Sequence, residues 1–242
     1  DLKAFRVRKV FTAGRLIAED GRVLIPLDDA AAGAPSHSIH LKPLAEDALS
    51  LPVRTGKARV IGIEPASLVT KSLVREVNTD DAGCFQSALN PGLTKIAVIE
   101  RHKRTGKLGI GILEGYGLTG GAIATTISHD SHNIVVAGDN DPDMLLAVRE
   151  LADMGGGIVS VHGGAIRRLP LPIAGLMTSA DPQEVNAVLH DMLVAARAEL
   201  GIPEDVEPFM TLSFMALPVI PELKLTARGL FNVNTFSFVG VE

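Results

Sequence analysis

Cysteine is all but missing: Cys84 is the only one in 242 residues. No disulfide can close within the chain and no thiolate cluster can hold zinc, which fits a reducing compartment, the cytoplasm. Tryptophan is absent, Tyr116 is the single tyrosine and there are eight phenylalanines, so few rings are on offer for stacking nucleic-acid bases. Positive charge is not in surplus: 23 Lys and Arg stand against 28 Asp and Glu, a formal net charge of −5. Binders of phosphate backbones carry a basic excess. The densest basic run, Arg101-His102-Lys103-Arg104, is short and reads as a hairpin turn. The long uncharged stretches, Gly115–Ser128 and Phe209–Pro221, fall below the ~18 residues a membrane span needs. Neither nucleic acid nor a membrane is therefore expected as a partner. The charged start, Asp1 to Arg6, shows no signal peptide. It also lacks an initiator Met, which leads us to expect one piece of a longer polypeptide.

What is present is material for a large core. Hydrophobic residues make up 46% of the chain and charged ones 21%, enough for one large domain or two small ones. Residues 5–25 read as short strands with turns at Ala13-Gly14 and Asp20-Gly21. Two or three such strands need sheet partners from elsewhere. Residues 28–57 read as a linker wandering over a surface, with some helix at Ala45–Leu49. Strand patterns return from Ala58, with a hairpin about Lys103–Gly106, strands at Ala122–Ser128 and Asn133–Ala137, and a second hairpin about His162-Gly163-Gly164. Two helices are marked. One begins at Asp141-Pro142 and ends at Gly155-Gly156-Gly157; the other runs from Asp181-Pro182 to Gly201 behind a near-capping box. The tail, Thr211–Val241, is read as strand broken by prolines. The fold class expected is α+β with a mixed or antiparallel sheet.

The densest polar cluster in an apolar setting is Ser128-His129-Asp130-Ser131-His132-Asn133. His129, Asp130, His132 and Asn133 are the candidate site residues. Imidazoles beside a carboxylate can shuttle protons or ligate a metal. On a continuous strand His129 and His132 would face opposite ways, so they converge only about a turn. The alternative is a polar turn between two core strands. His37 and His40 read as surface, His102, His162 and His190 as turn and helix-surface residues, and Cys84 as a small buried residue. Gly115-Tyr116-Gly117-Leu118-Thr119-Gly120 matches G-x-G-x-x-G, but a strand rather than a helix follows it, so a crowded turn is the better reading.

The runs Gly117–Asp143, Gly155–Ser160, Leu169–Thr178 and Pro208–Val233, with Asp1–Gly21 before them, closely resemble the C-terminal part of the bacterial adenine deaminases of the amidohydrolase superfamily. The resemblance implies the hydrolysis of adenine to hypoxanthine and ammonia, in purine salvage, at a binuclear manganese or iron site on a (β/α)₈ barrel. It also implies the division of the chain: 1–27 as return strands of an amidohydrolase β-sandwich, 28–57 as linker, and 58–242 as the α+β C-terminal domain. The barrel takes roughly 250 residues and is not here; no two of the seven histidines stand in a His-x-His pair. No metal ligand carries over, and this chain alone is expected to be inactive. The expected partners are the N-terminal barrel half, adenine as the substrate of the whole, and further copies in a homo-oligomer. Two other readings are kept: a structural or oligomerisation domain, and a stand-alone module for a small polar ligand.

Overall fold

A computed structural model describes residues 1–26 and 35–242. They divide into two compact units, within Asp1–Gly33 and Ala34–Glu242. Leu27 and the first seven residues of the expected linker, 28–34, lie outside the described residues.

The first unit is a three-stranded antiparallel sheet, β1 (Lys9–Thr12), β2 (Arg15–Glu19) and β3 (Arg22–Val23). Its turns fall at Ala13-Gly14 and Asp20-Gly21, with φ of 48° and 78°, and of 46° and 81°. Two successive positive φ values are what a two-residue hairpin turn requires. None of its described residues is buried.

The second unit is built on an eight-stranded sheet of β4 (Lys57–Ile63), β5 (Thr70–Glu76), β6 (Leu93–Ile99), β7 (Leu108–Glu114), β8 (Gly121–Thr125), β9 (Ile134–Gly138), β10 (Gly157–His162) and β11 (Ala165–Pro170). Their order is β11-β10-β8-β9-β6-β7-β4-β5. Only β4 and β7 pair in parallel; both expected hairpins, β6–β7 and β10–β11, are present. Every residue of β8 and β9 is buried, so both faces of the sheet are covered.

Helix α1 (Asp141–Asp153) covers one face, packing Met144, Leu145, Val148 and Leu151 against Ala97, Ala124 and Val136. Its N-cap is Asn140, one residue earlier than Asp141-Pro142 suggests, because the Asn140 side chain accepts from Asp143 N at 2.9 Å. The other face carries α2 (Pro182–Ala198), α3 (Pro208–Phe214) and the hairpin of β12 (Leu223–Thr226) and β13 (Gly229–Asn232). Asp181 caps α2 through Gln183 N. Helix α3 corrects the all-strand reading of the tail: Glu207 caps it, Pro208 takes the first position, and Phe209 and Leu212 share the buried side. A short β14 (Ser237–Phe238) extends β13.

One further expectation changes and another holds. Residues 35–57 do not simply wander over the surface, since Leu49, Leu51 and Val53 are buried in the core. The Gly115–Gly120 segment turns into β8 as expected, and a Cβ on Gly117 would stand 2.5 Å from Pro203 Cδ. That crowding accounts for the glycine without a phosphate.

On β7 the residues Leu108, Ile110 and Ile112 face one side while Gly109 and Gly111 face the β12–β13 hairpin. A Cβ on Gly109 would stand 2.0 Å from Thr226 O, a backbone atom that cannot swing aside. Gly109→Ala is expected to push the hairpin off the sheet at a cost of about 3 kcal/mol, read as a lower melting temperature. An unchanged melt would mean that the hairpin is not held this closely.

Candidate functional site

The turn joining β8 to β9, residues 126–133, is where the candidate residues meet. His129 and His132 converge as a turn allows, with ring centroids 6.4 Å apart. His129 N donates to Ser213 O at 3.1 Å, tying the loop to α3. The His129 ring lies 4.7 Å from that of Phe214, tilted by 32°, in the range of aromatic pairing. His132 N donates to Ser128 O at 2.7 Å, and His132 has φ of 47°, a left-handed conformation uncommon outside glycine. Asp130 is exposed, its carboxylate 3.4 Å from His129 Nδ1. Asn133 is buried at the start of β9.

Three enclosed polar atoms of this loop, Ser128 Oγ, His132 Nδ1 and Asn133 Oδ1, find no hydrogen-bond partner among the described residues; Ser160 Oγ is the fourth such atom. Each unpaired buried group costs roughly 1–3 kcal/mol, and native structures hold few of them. Their concentration in one turn marks it off from an ordinary connection.

The loop is held from beneath by Arg101, only 1% exposed. Its Nε donates to His132 O, one Nη to Ser38 O at 3.2 Å and Ser38 Oγ at 3.1 Å, and the other Nη to Ala174 O at 3.0 Å. Three segments thus meet on one guanidinium: 35–40, 126–133 and 172–177. Gly175 is packed on it, since a Cβ there would stand 2.9 Å from an Nη. Among the described residues no carboxylate pairs with it. Burial pushes the Arg101 pKa down, yet an arginine stays charged. The His132 pKa is also lowered, first by burial, then by the charge of Arg101 and by His129, against the opposing pull of Asp130, with His102 adding to the lowering.

The basic run therefore contains a buried residue that its reading as a turn misses. The signal was available: extending the two-residue period of β6 beyond Ile99 puts Arg101 on the face of Ala97 and Ile99. Phe214 could not be read as a neighbour of His129, because the contact depends on α3. Of the other histidines, His102 is exposed with Nε2 2.8 Å from Ser131 O, His190 is exposed on α2, and His162 Nδ1 lies 2.8 Å from Gly120 O.

Glu100 shapes the turn that carries Arg101 and His102. Its carboxylate accepts from His102 N at 2.6 Å, Lys103 N at 2.7 Å, Thr105 N at 3.0 Å and Thr105 Oγ1 at 2.7 Å. Burial alone would raise its pKa, but these bonds together hold it at about 2. The unfolded value is 4.5, so the stabilisation is fully present above that pH and is lost as the pH falls towards 2. Glu100→Gln is expected to flatten the drop in melting temperature across this interval; an acid profile identical to the parent's would refute the assignment.

Among the described residues no three His, Cys, Asp or Glu side chains form a metal-binding group. The described residues thus offer no ligand set for the metal pair that the resemblance implies. No described helix is long and apolar enough to cross a membrane.

A family model described as the adenine deaminase C-terminal domain matches residues 67–237. An adenine deaminase of Nitratidesulfovibrio vulgaris strain Hildenborough is 57% identical over 242 residues, covering 100% of this chain and 42% of that protein. Adenine deaminase 2 of Carboxydothermus hydrogenoformans is 45% identical over 245 residues, again across 100% of this chain and 42% of its own length. The adenine deaminase of Geobacillus kaustophilus is 42% identical over 247 residues with the same coverage. The chain thus spans less than half the length of these relatives.

Proposed function

Because the chain belongs to the adenine deaminase C-terminal domain family, we propose that it serves an adenine deaminase and that its 126–133 loop faces the substrate of that enzyme. The overall reaction is hydrolytic: the oxygen of water bonds to C6 of adenine, the bond from C6 to the amino nitrogen breaks, and ammonia leaves with hypoxanthine as product. The proposal includes manganese or iron bound as a pair by a barrel outside this chain, purine salvage, a cytoplasmic location, and 1–27 as sandwich strands ahead of a 28–57 connection and a 58–242 domain.

The observation that carries the reading is the cluster of unpaired polar atoms, Ser128 Oγ, His132 Nδ1 and Asn133 Oδ1. A purine presents ring nitrogens and an amino group to such atoms, and the paired rings of His129 and Phe214 offer a flat wall to its face. On this reading His129, Asp130, His132 and Asn133 bind and orient the base and exclude water from the pocket mouth. The full-length enzyme with His129→Ala and His132→Ala is expected to stay folded and lose roughly ten- to a hundredfold in kcat/KM for adenine, the worth of one or two well-placed hydrogen bonds. Parent-like kinetics in the double variant would reduce the loop to a structural turn.

The proposal also includes association into a homo-oligomer, and Val188, exposed on α2, is a position at which to test it. If this is correct, Val188→Asp lowers the mass in solution measured by light scattering; an unchanged mass removes this role from that face.

A further inference from the structure

A loop that binds a base must hold its own atoms still, and the restraint on this one is a charged group where a neutral one would cost less. Taking an arginine out of water without an opposite charge is expensive, and buried arginines are ordinarily paired. Among the described residues the guanidinium meets carbonyls and a hydroxyl alone. Neutral donors could bridge the same segments. A cation adds one thing that they cannot: it disfavours a second positive charge beside it.

We infer that Arg101 is the positioning residue of the 126–133 loop, fixing the His132 backbone so that its imidazole keeps Nδ1, unpartnered among the described residues, as the hydrogen-bond acceptor for an N–H of the purine. The geometry supplies each part. The Arg101 fork takes the His132 carbonyl and holds that residue at a φ of 47°. Ser38 and Ala174 anchor the other end of the guanidinium, and Gly175 packs against it where a Cβ would stand 2.9 Å from an Nη. His132 Nδ1 is enclosed and unpartnered. The charged and titratable groups facing His132 are Arg101 on the β6–β7 connection, His102 beside it, and His129 and Asp130 on its own loop. Of these only Asp130 favours protonation, and its side chain is exposed, where water screens it. A neutral imidazole accepts at one nitrogen and donates at the other; a protonated one accepts at neither. Arg101 thus acts on the substrate through His132. This inference rests on the proposal that the loop faces adenine.

The test uses Arg101→Met, which removes charge and donors, and Arg101→Lys, which keeps the charge and loses the planar fork. His132 is followed by NMR titration of its imidazole in the 242-residue chain, and adenine turnover is measured against pH in the full-length enzyme. The parent His132 is expected to titrate below the ordinary histidine value of 6.5. Arg101→Met should raise that value, move the acid limb of kcat/KM to higher pH, and cut kcat/KM roughly ten- to a hundredfold. In Arg101→Lys the acid limb should stay near the parent position while KM rises. A merely structural clamp would lower stability and leave the pH profile in place. A parent His132 titrating at or above 6.5, or an unmoved acid limb in folded Arg101→Met, overturns the inference. If Arg101→Met fails to fold, the parent titration and Arg101→Lys decide, and parent-like KM in the lysine variant counts against it. His132→Ala separates the two levels: if that variant works like the parent, the substrate-facing loop itself is wrong, whereas an impaired His132→Ala beside an unaffected Arg101→Met removes only the role of Arg101.

Discussion

The central strands of the large sheet are buried from both sides, and most of what the chain does structurally follows from that. β8 and β9 have no exposed or half-exposed residue, and β6 has one. Such strands cannot alternate apolar with polar residues; they need cover on both faces. Helix α1 supplies one layer, and α2, α3 and the β12–β13 hairpin supply the other. Where the second layer comes closest, at β7, the sequence gives up side chains at Gly109 and Gly111. With both faces occupied, polar chemistry is left to the ends of the strands. The turns after β6 and β8 and the segment after β11 gather at one such end, on Arg101.

Three cations are buried in this unit, and their treatment differs with their chemistry. Lys95 lies against Asp141 at the start of α1, 2.5 Å away, and also donates to Leu49 O at 3.0 Å. That is the expected arrangement, since a carboxylate offsets the charge. Lys224 donates to Leu68 O at 2.9 Å, and burial lowers its pKa to about 8. A lysine so placed can shed its proton and escape the desolvation cost. An arginine has no such route. The charge of Arg101 therefore persists and acts on whatever lies beside it, which is His132.

The elements set by local chemistry were legible in the sequence. Pro142 and Pro182 with their caps marked α1 and α2, the glycine-containing turns marked the hairpins, and the alternation around them marked the strands. The 128–133 cluster stood out because polar residues interrupted two apolar runs. Illegible was whatever depended on distant parts meeting. Helix α3 is seven residues long, too short for periodicity to declare it, and its β-branched and aromatic residues resemble strand. The burial of Leu49, Leu51 and Val53 depends on a surface that only the folded sheet provides. Arg101 was hidden by its neighbours: in a run of four basic residues, three are exposed and one is enclosed, and only the register of β6 tells them apart.

The small first unit obeys the same logic from the opposite side. Its hairpin turns are dictated by Ala13-Gly14 and Asp20-Gly21, whose positive φ values match the twist of the strands they join. Turn chemistry can shape a hairpin, but it cannot supply a core. Val10, Phe11, Val23 and Leu24 all stay exposed, and a three-stranded sheet without a covered apolar face is marginal in water. These residues are strand formers with no layer to bury them among the described residues. Their pattern suits a sheet with more strands than the three described. The large unit has already spent its apolar surface on two layers over one sheet and keeps its unpaired polar atoms at a strand end. One unit is short of apolar cover and the other is short of hydrogen-bond partners, and a chain spanning 42% of its relatives' length leaves room for both to be supplied from outside it.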